Sequence, residues 1–249
     1  MIYELTDPQI ASRLFSGWDE TLIASCLQGV MGKLYGTDPE KPASVAARLG
    51  DFAFYAGEPS RELILAKPAG FLILVPQNEQ WAALMEACFP GQCKRMMRYA
   101  IKKDTQFNTD HLLSLVQTLP RGYELRRIDG ELYDRCLEAE WSKDFVSVFG
   151  SKEDFLEKGL GVVALKDGEL AAGASSYSRY REGIEIEVDT RQDQRQLGLA
   201  TACCARLILD CLERGLYPSW DAQNRISVRL AEKLGYEFSH EYPVYEVYV

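Results

Sequence analysis

The chain has 249 residues, 47% hydrophobic and 26% charged, a composition that suits one large or two modest globular domains. No apolar run approaches the roughly 20 residues of a membrane span, and the formal net charge of −9 argues against a nucleic-acid-binding surface. The opening Met-Ile-Tyr-Glu-Leu-Thr-Asp-Pro lacks the basic and then apolar pattern of a secretion signal, so a cytoplasmic location is the expectation.

In chain order, Asp7-Pro8 reads as a helix start within residues 1–18. Leu22, Ile23, Cys26, Leu27 and Val30 predict a helix over 21–33, before a turn-rich loop at 36–42. Residues 51–56, 62–66 and 71–75 are rich in strand formers and bounded by Gly or Pro, which predicts a small meander. A helix over 79–89 closes at Pro90-Gly91, and the basic segment 94–103 reads as a solvated strand or helix face. After a short helix at 111–118, Leu119-Pro120-Arg121-Gly122 breaks the pattern. The domain boundary is expected there, with an N-terminal α/β domain over 1–120 and a second domain over 121–249.

The second part predicts a strand at 123–128 and helices at 132–140 and 152–158, with Trp141, Phe145 and Phe149 on the loop between them. Strands at 161–165 and 170–178 flank Lys166-Asp167-Gly168-Glu169, a hairpin signal because Asp-Gly supplies the positive φ angles of a tight turn. A strand at 184–188, a loop, a helix at 200–214 and a strand at 217–220 make a β-α-β unit, whose two strands run parallel. Gly215 ends the first of these helices, Asn224 caps a second that runs to Leu234, and strands at 236–238 and 245–249 finish the chain. The fold class is therefore α/β in the broad sense, an α+β mixed sheet flanked by helices.

Seven cysteines, an odd number without a Cys-x-x-Cys pair, read as reduced thiols; Cys203, Cys204 and Cys211 share the apolar stripe of the 200–214 helix. With only His111 and His240, no zinc-type spacing occurs and no metal is expected. No Gly-x-Ser-x-Gly elbow, Rossmann glycine pattern or nucleoside-triphosphate loop is present.

The informative stretch is 194–200, Gln-Arg-Gln-Leu-Gly-Leu-Ala, between a strand and a one-faced helix. At such a junction successive N–H groups and the positive helix end form a cradle for phosphate or pyrophosphate. Gly198 removes a side chain where anionic oxygens approach the backbone, Ala200 keeps the first turn small, and Arg195 adds a charge-assisted contact.

The order strand, Arg195-Gln196-Leu197-Gly198-Leu199-Ala200, helix, strand, Asn224, and a helix ending Leu234-Gly235-Tyr236 resembles the GNAT superfamily of acyl-CoA-dependent N-acetyltransferases. The string from Pro218 to Tyr236 resembles the zwittermicin-resistance subgroup, and the likeness covers roughly residues 121–249. The resemblance implies an N-acetyltransferase that uses acetyl-CoA and acts by direct transfer on a primary amine of a small molecule. It implies that the amides of Arg195, Gln196, Leu197, Gly198, Leu199 and Ala200 bind the pyrophosphate. The pantetheine arm would pair beside Val188 and Thr190 where the two parallel strands splay. An N–H near Val188 would polarise the acetyl carbonyl, and Asn224 would contact the cofactor arm or hold the following loop. Many members place a Tyr before the Glu-Lys-Leu-Gly run to protonate the leaving thiolate; Ala231 stands there in this chain. A non-catalytic acyl-CoA-binding module and a protein N-acetyltransferase are the alternative readings.

Glu185 and Glu187 share one face of their strand. A half-buried carboxylate there has a raised pKa suited to a base acting through water. Glu187 is preferred as the nearer to the acetyl position, with Glu185 and then Asp221 behind it; a solvent-facing pair of surface charges fits the same alternation. Trp141 and Phe145 suit either an acceptor pocket or the core. Among the C-terminal tyrosines 236, 242, 245 and 248, Tyr245 is the candidate acid, because its strand is expected to return beside 217–220. The oligomeric state is open.

Overall fold

The structure, a computed structural model, describes residues 1–248. The chain forms two units, Met1–Arg98 joined by the returning segment from Glu241, and Tyr99–His240. The boundary expected at residue 120 falls inside the second unit.

The first unit contains β1 (Tyr3–Leu5), α1 (Pro8–Ser12), α2 (Thr21–Gln28), β2 (Lys33–Gly36), β3 (Ser44–Leu49), β4 (Phe52–Gly57), α3 (Arg61–Leu65), β5 (Phe71–Pro76) and α4 (Glu79–Cys88). Its strands follow the order β1-β2-β3-β4-β5, with the last strand of the chain, β13 (Phe238–Tyr248), added beside β5. The chain passes between the units along β6 (Cys93–Ile101) and β13. Three expectations change here. The run 62–66 is a helix, not a strand, because the Ser60 hydroxyl caps it by accepting from the Leu63 N–H at 3.3 Å. Ser44–Leu49 is a strand that its alanines concealed. The helix expected over 21–33 stops at Gln28, where Gly29 adopts φ 65°.

The second unit continues with α5 (Thr109–Val116), β7 (Tyr123–Arg127), α6 (Gly130–Leu137), α7 (Lys152–Lys158), β8 (Gly161–Lys166), β9 (Glu169–Tyr180), β10 (Gly183–Thr190), α8 (Leu199–Glu213), β11 (Tyr217–Ser219), β12 (Asp221–Ala222) and α9 (Arg225–Leu234). A five-stranded sheet runs β11-β10-β9-β8-β7, and β10 and β11 are parallel, as a strand-helix-strand crossover requires. Ile184, Ile186, Val162, Ala164, Ala172 and Ala174 line the face on which α8 packs through Cys203, Cys204, Leu207, Ile208 and Cys211. The three cysteines are buried and reduced, and burial holds each thiol up, Cys203 and Cys211 to about 12. Buried Asp210 fixes the rotation of α8 on the sheet. Arg127 grips it with two hydrogen bonds, at 2.6 and 2.9 Å, and Arg206 adds an ion pair at 2.5 Å. A carboxylate this deep requires such partners.

The strand expected over 236–238 begins only at Phe238 and continues without a break into the one expected over 245–249, as a single long strand, β13; Val249 lies outside the described residues.

Candidate acyl-transfer site

The β10 strand has two halves. Gly183, Ile184 and Glu185 pair with Tyr217, Pro218 and Ser219 of β11 on one side and with Tyr180, Arg179 and Ser178 of β9 on the other. Among the described residues Ile186 to Thr190 pair only with β9, and the register shifts by a bulge between Glu185 and Ile186. Beyond Ser219 the chain leaves this sheet, and β12 pairs instead with Tyr99 and Ala100. Trp220 anchors the departure: it is buried, packs against the tilted Tyr236 ring at a centroid distance of 5.6 Å and donates Nε1–H to the Ser227 hydroxyl at 3.1 Å. The two parallel strands therefore splay after Glu185, and among the described residues the β11-side edge of Val188 and Thr190 pairs with no strand.

The loop that follows is braced from within. Arg191 holds the Leu170 carbonyl at 2.9 Å and Asp193 at 2.7 Å. Buried Gln194 accepts from the Tyr123 hydroxyl and donates to Asp193 at 2.8 Å. Hydrogen bonds from Arg191 first, and then from Gln194, hold the Asp193 carboxyl down to about 2. Arg195 folds back onto the Thr190 carbonyl at 3.1 Å and the Asp189 carboxylate at 3.3 Å. Its guanidinium thus ties the loop to the end of β10.

Gln196 and Gly198 both take left-handed φ angles, 66° and 80°. A Cβ at Gly198 would meet nothing within 4 Å, so the glycine serves its backbone angle and leaves open space outside it. No side chain caps α8; its first helical bond runs from Ala202 N–H to Gly198 O at 3.2 Å. The N–H groups of Leu199, Ala200 and Thr201 thus point out of the helix end, where the helix carries about half a positive charge. Asn224 caps α9 instead: its Oδ1 accepts from Ile226 N–H at 2.9 Å and Ser227 N–H at 3.0 Å, so its oxygen holds the loop after β12.

On the face of β10 opposite α8, Glu185 is 6% exposed between Ser178 and Ser219, and Glu187 is half-buried across from Ser175. Beside Glu187 the aromatic loop is pinned to β9. The Ser175 hydroxyl donates to the Phe145 carbonyl at 2.6 Å, and the Phe145 ring occupies the space a Cβ of Gly173 would need. Trp141 meets Phe145 edge-on at 5.9 Å and stays half-buried. The expected choice between pocket and core divides between them: Phe145 packs, and Trp141 remains partly open.

Tyr245 is not brought to this place. It pairs with Leu74 of β5 and lies in the first unit's core, because β13 joins that sheet rather than returning beside β11. Burial and its contact with Glu86 push the phenol up to about 12. Tyr236 is in the second unit, yet its O–H is committed to the Pro218 carbonyl at 2.6 Å. Ala231 is fully buried against the core.

The profile of the GNAT acetyltransferase family matches residues 12–245. The chain belongs to the GNAT acetyltransferase family. The match spans both units of this acetyltransferase, so residues 12–120, which carry no motif of their own, fall within it. The protein is 48% identical to a GCN5-related N-acetyltransferase-like protein from Streptococcus suis 89/1591 of solved structure, with a TM-score of 0.93 over 97% of this chain and 98% of that one. It is 26% identical over 240 residues to YdfB, an uncharacterised N-acetyltransferase of Bacillus subtilis strain 168, covering 90% of this chain and 89% of the relative. A GCN5-related N-acetyltransferase from Kribbella flavida shares the fold at 16% identity, with a TM-score of 0.52 over 97% and 95% of the two chains. Enzymes of this family generally use acetyl-CoA as co-substrate. The left-handed, uncapped entry to α8 suits its pyrophosphate, and the open β10 edge suits an extended arm. Among the described residues no His, Cys, Asp and Glu group could hold a metal, and no helix is long and apolar enough to cross a membrane.

Sequence reasoning missed the Gln194–Tyr123 brace and the serines beside Glu185. The composition of β9 hinted at Ser178, since Ser175, Ser176 and Ser178 interrupt a largely apolar strand.

Proposed function

We propose that the protein transfers the acetyl group of acetyl-CoA directly to a primary amine of a small molecule in the cytoplasm. The observation that carries this reading is one juxtaposition. A strand edge left open after Glu185 leads straight into a helix start that no side chain caps. The amides from Arg195 to Ala200 receive the pyrophosphate, and the edge of Val188 and Thr190 pairs with the pantetheine arm as an added strand would. Acetyl-CoA supplies the thioester that activates the acetyl group. The amine must lose a proton before it attacks, and the glutamates of β10 provide the base. Asn224 holds the neighbouring loop through its cap. With Ala at 231 and the Tyr236 hydroxyl engaged, the leaving thiol takes its proton from solvent. The likeness of residues 218–236 to zwittermicin-resistance acetyltransferases favours a small-molecule acceptor over a protein.

The test is release of free thiol from acetyl-CoA with a panel of small primary amines, run beside a panel of peptide N-termini. Release with small amines is expected. Release with peptides alone reassigns the acceptor class, and tight acetyl-CoA binding without release in either panel defeats the proposal.

A further inference from the structure

Buried serine hydroxyls on β9 divide into two kinds. Ser175 donates to the Phe145 carbonyl at 2.6 Å, and Ser176 meets the Leu160 carbonyl at 3.1 Å. Ser178 is equally buried, yet among the described residues its hydroxyl has no hydrogen-bond partner; on β11 the same holds for Ser219. Buried polar groups in folded proteins are nearly always paired, so two unpaired hydroxyls call for an explanation. Ser178 and Ser219 are the two register neighbours of one residue, Glu185. The three side chains form a row across β9, β10 and β11, at the last rung before the strands splay.

The chemistry gives this row a purpose. A carboxylate that is to accept a proton must be ionised when the ammonium arrives, and burial opposes ionisation. Hydroxyl donors restore the balance, because each presents an O–H to the charged form and little to the neutral one. We propose that Glu185 is the base for the acceptor amine, and that Ser178 and Ser219 are positioning residues whose hydroxyls turn onto its carboxylate in the substrate-bound state and hold it ionised. This rests on the acetyltransferase reading above. In the step itself an N–H bond of the ammonium breaks and an O–H bond forms on Glu185. The nitrogen keeps the electron pair with which it attacks, and the proton later passes to solvent.

Other ionisable groups surround β10. Glu187 and Asp189 lie on the same strand, Arg179, Tyr177 and Tyr180 on β9, and Tyr217 on β11. Cys204 and Cys211 come from α8, Lys143 and Asp144 from the turn before Phe145, and Tyr236 from the segment after α9. Tyr217 and Tyr236 interact electrostatically with Glu185, and burial raises both phenols, so they stay neutral through the working range.

The experiment is the pH profile of kcat/KM for the best small amine, from about pH 5 to about pH 9, in wild type and in the S178A/S219A double variant. Without its donors the carboxylate binds its proton more tightly, so the acid limb should move up by about one pH unit. At the alkaline end the rate should return to within about twofold of wild type. S178T and S219T, which keep the hydroxyl, should restore the limb. Glu185→Gln should lower turnover roughly 10²-fold at every pH and erase the limb. The thermal shift with acetyl-CoA, unchanged in all variants, reports an intact cradle. Superimposable profiles for wild type and S178A/S219A overturn the role of the serines. A Glu185→Gln variant with wild-type rate and limb overturns the base. A wild type that binds acetyl-CoA but acetylates no amine overturns the acetyltransferase reading itself, and this inference with it.

Discussion

Two helices of the second unit, α8 and α9, begin in opposite ways. Before α9, Asn224 is extended (φ −156°, ψ 172°), and its side chain closes the helix by accepting from two N–H groups. Before α8, Gly198 sits at φ 80°, ψ 3°, and has no side chain to offer. Side chains cap other helices too, among them α4 by Asn78, α5 by Asn108 and α6 by Asp129, whereas α8, the longest helix among the described residues, is left open. A cap contributes about 1 kcal/mol to a helix. The chain forgoes that at α8 and secures the helix by burying most of its 15 residues and pairing Asp210 with two arginines. A capped start is finished by its own side chain; an uncapped start held rigidly from behind is preorganised for an anion.

The largest expected effect breaks the open start. Gly198→Val forces a β-branched residue into a left-handed angle, at a strain of roughly 1–2 kcal/mol, and crowds the space outside the loop. Wild-type protein at about 100 times the dissociation constant of acetyl-CoA should gain about 2.7 kcal/mol of stability. In the variant that gain should vanish, while far-ultraviolet circular dichroism stays that of the wild type. A full thermal shift in Gly198→Val would remove the α8 start from the binding site.

A smaller effect breaks the closed start. Asn224→Ala should cost about 1 kcal/mol of unfolding free energy, measured by urea titration. Its acetyl-CoA affinity should stay within about twofold of wild type, because the cap acts on the loop and not on the ligand. An affinity loss much larger than the stability loss would show that Asn224 touches the cofactor arm directly.

The smallest effect concerns the brace behind the open start. The Asp193 carboxyl is held low by Arg191 and then Gln194. A depressed carboxylate contributes above its unfolded pKa and loses that contribution as pH falls through its folded value, here about 2. Acetyl-CoA affinity, followed by titration calorimetry, should therefore show no Asp193 step between neutral pH and about pH 4, the unfolded range of an aspartate. A step in that range that disappears in Asp193→Asn would mean the brace is weaker than its geometry.

The sequence and the structure part company at identifiable places. The strand-loop-helix order around residues 194–200, the parallel pair flanking α8, the Asn224 cap and the Asp167-Gly168 hairpin turn were all legible. Each depends on a local signal, a glycine at a positive φ, a helical apolar stripe or a capping side chain. Residues 62–66 read as a strand in the sequence and the helix Arg61–Leu65 forms there instead, because a short Leu-Ile-Leu run has no period of its own, and only the Ser60 cap distinguishes helix from strand. Tyr245 was misplaced for a different reason. Alternation identifies a strand but does not say which neighbour it joins, and β13 enters the first unit's sheet beside β5.

By itself, then, the sequence determined the units of local structure: the strand-loop-helix junction before α8, the buried reduced cysteines of α8, and two glutamates on one face of β10. These follow from backbone angles and side-chain periods that act over a few residues. Only the tertiary structure decided that β10 and β11 part after Glu185, that Ser178 and Ser219 flank that carboxylate unpaired, and that Tyr245 belongs to another core. Each of those facts is a register between segments distant in the chain, and register is set by which apolar faces are buried together.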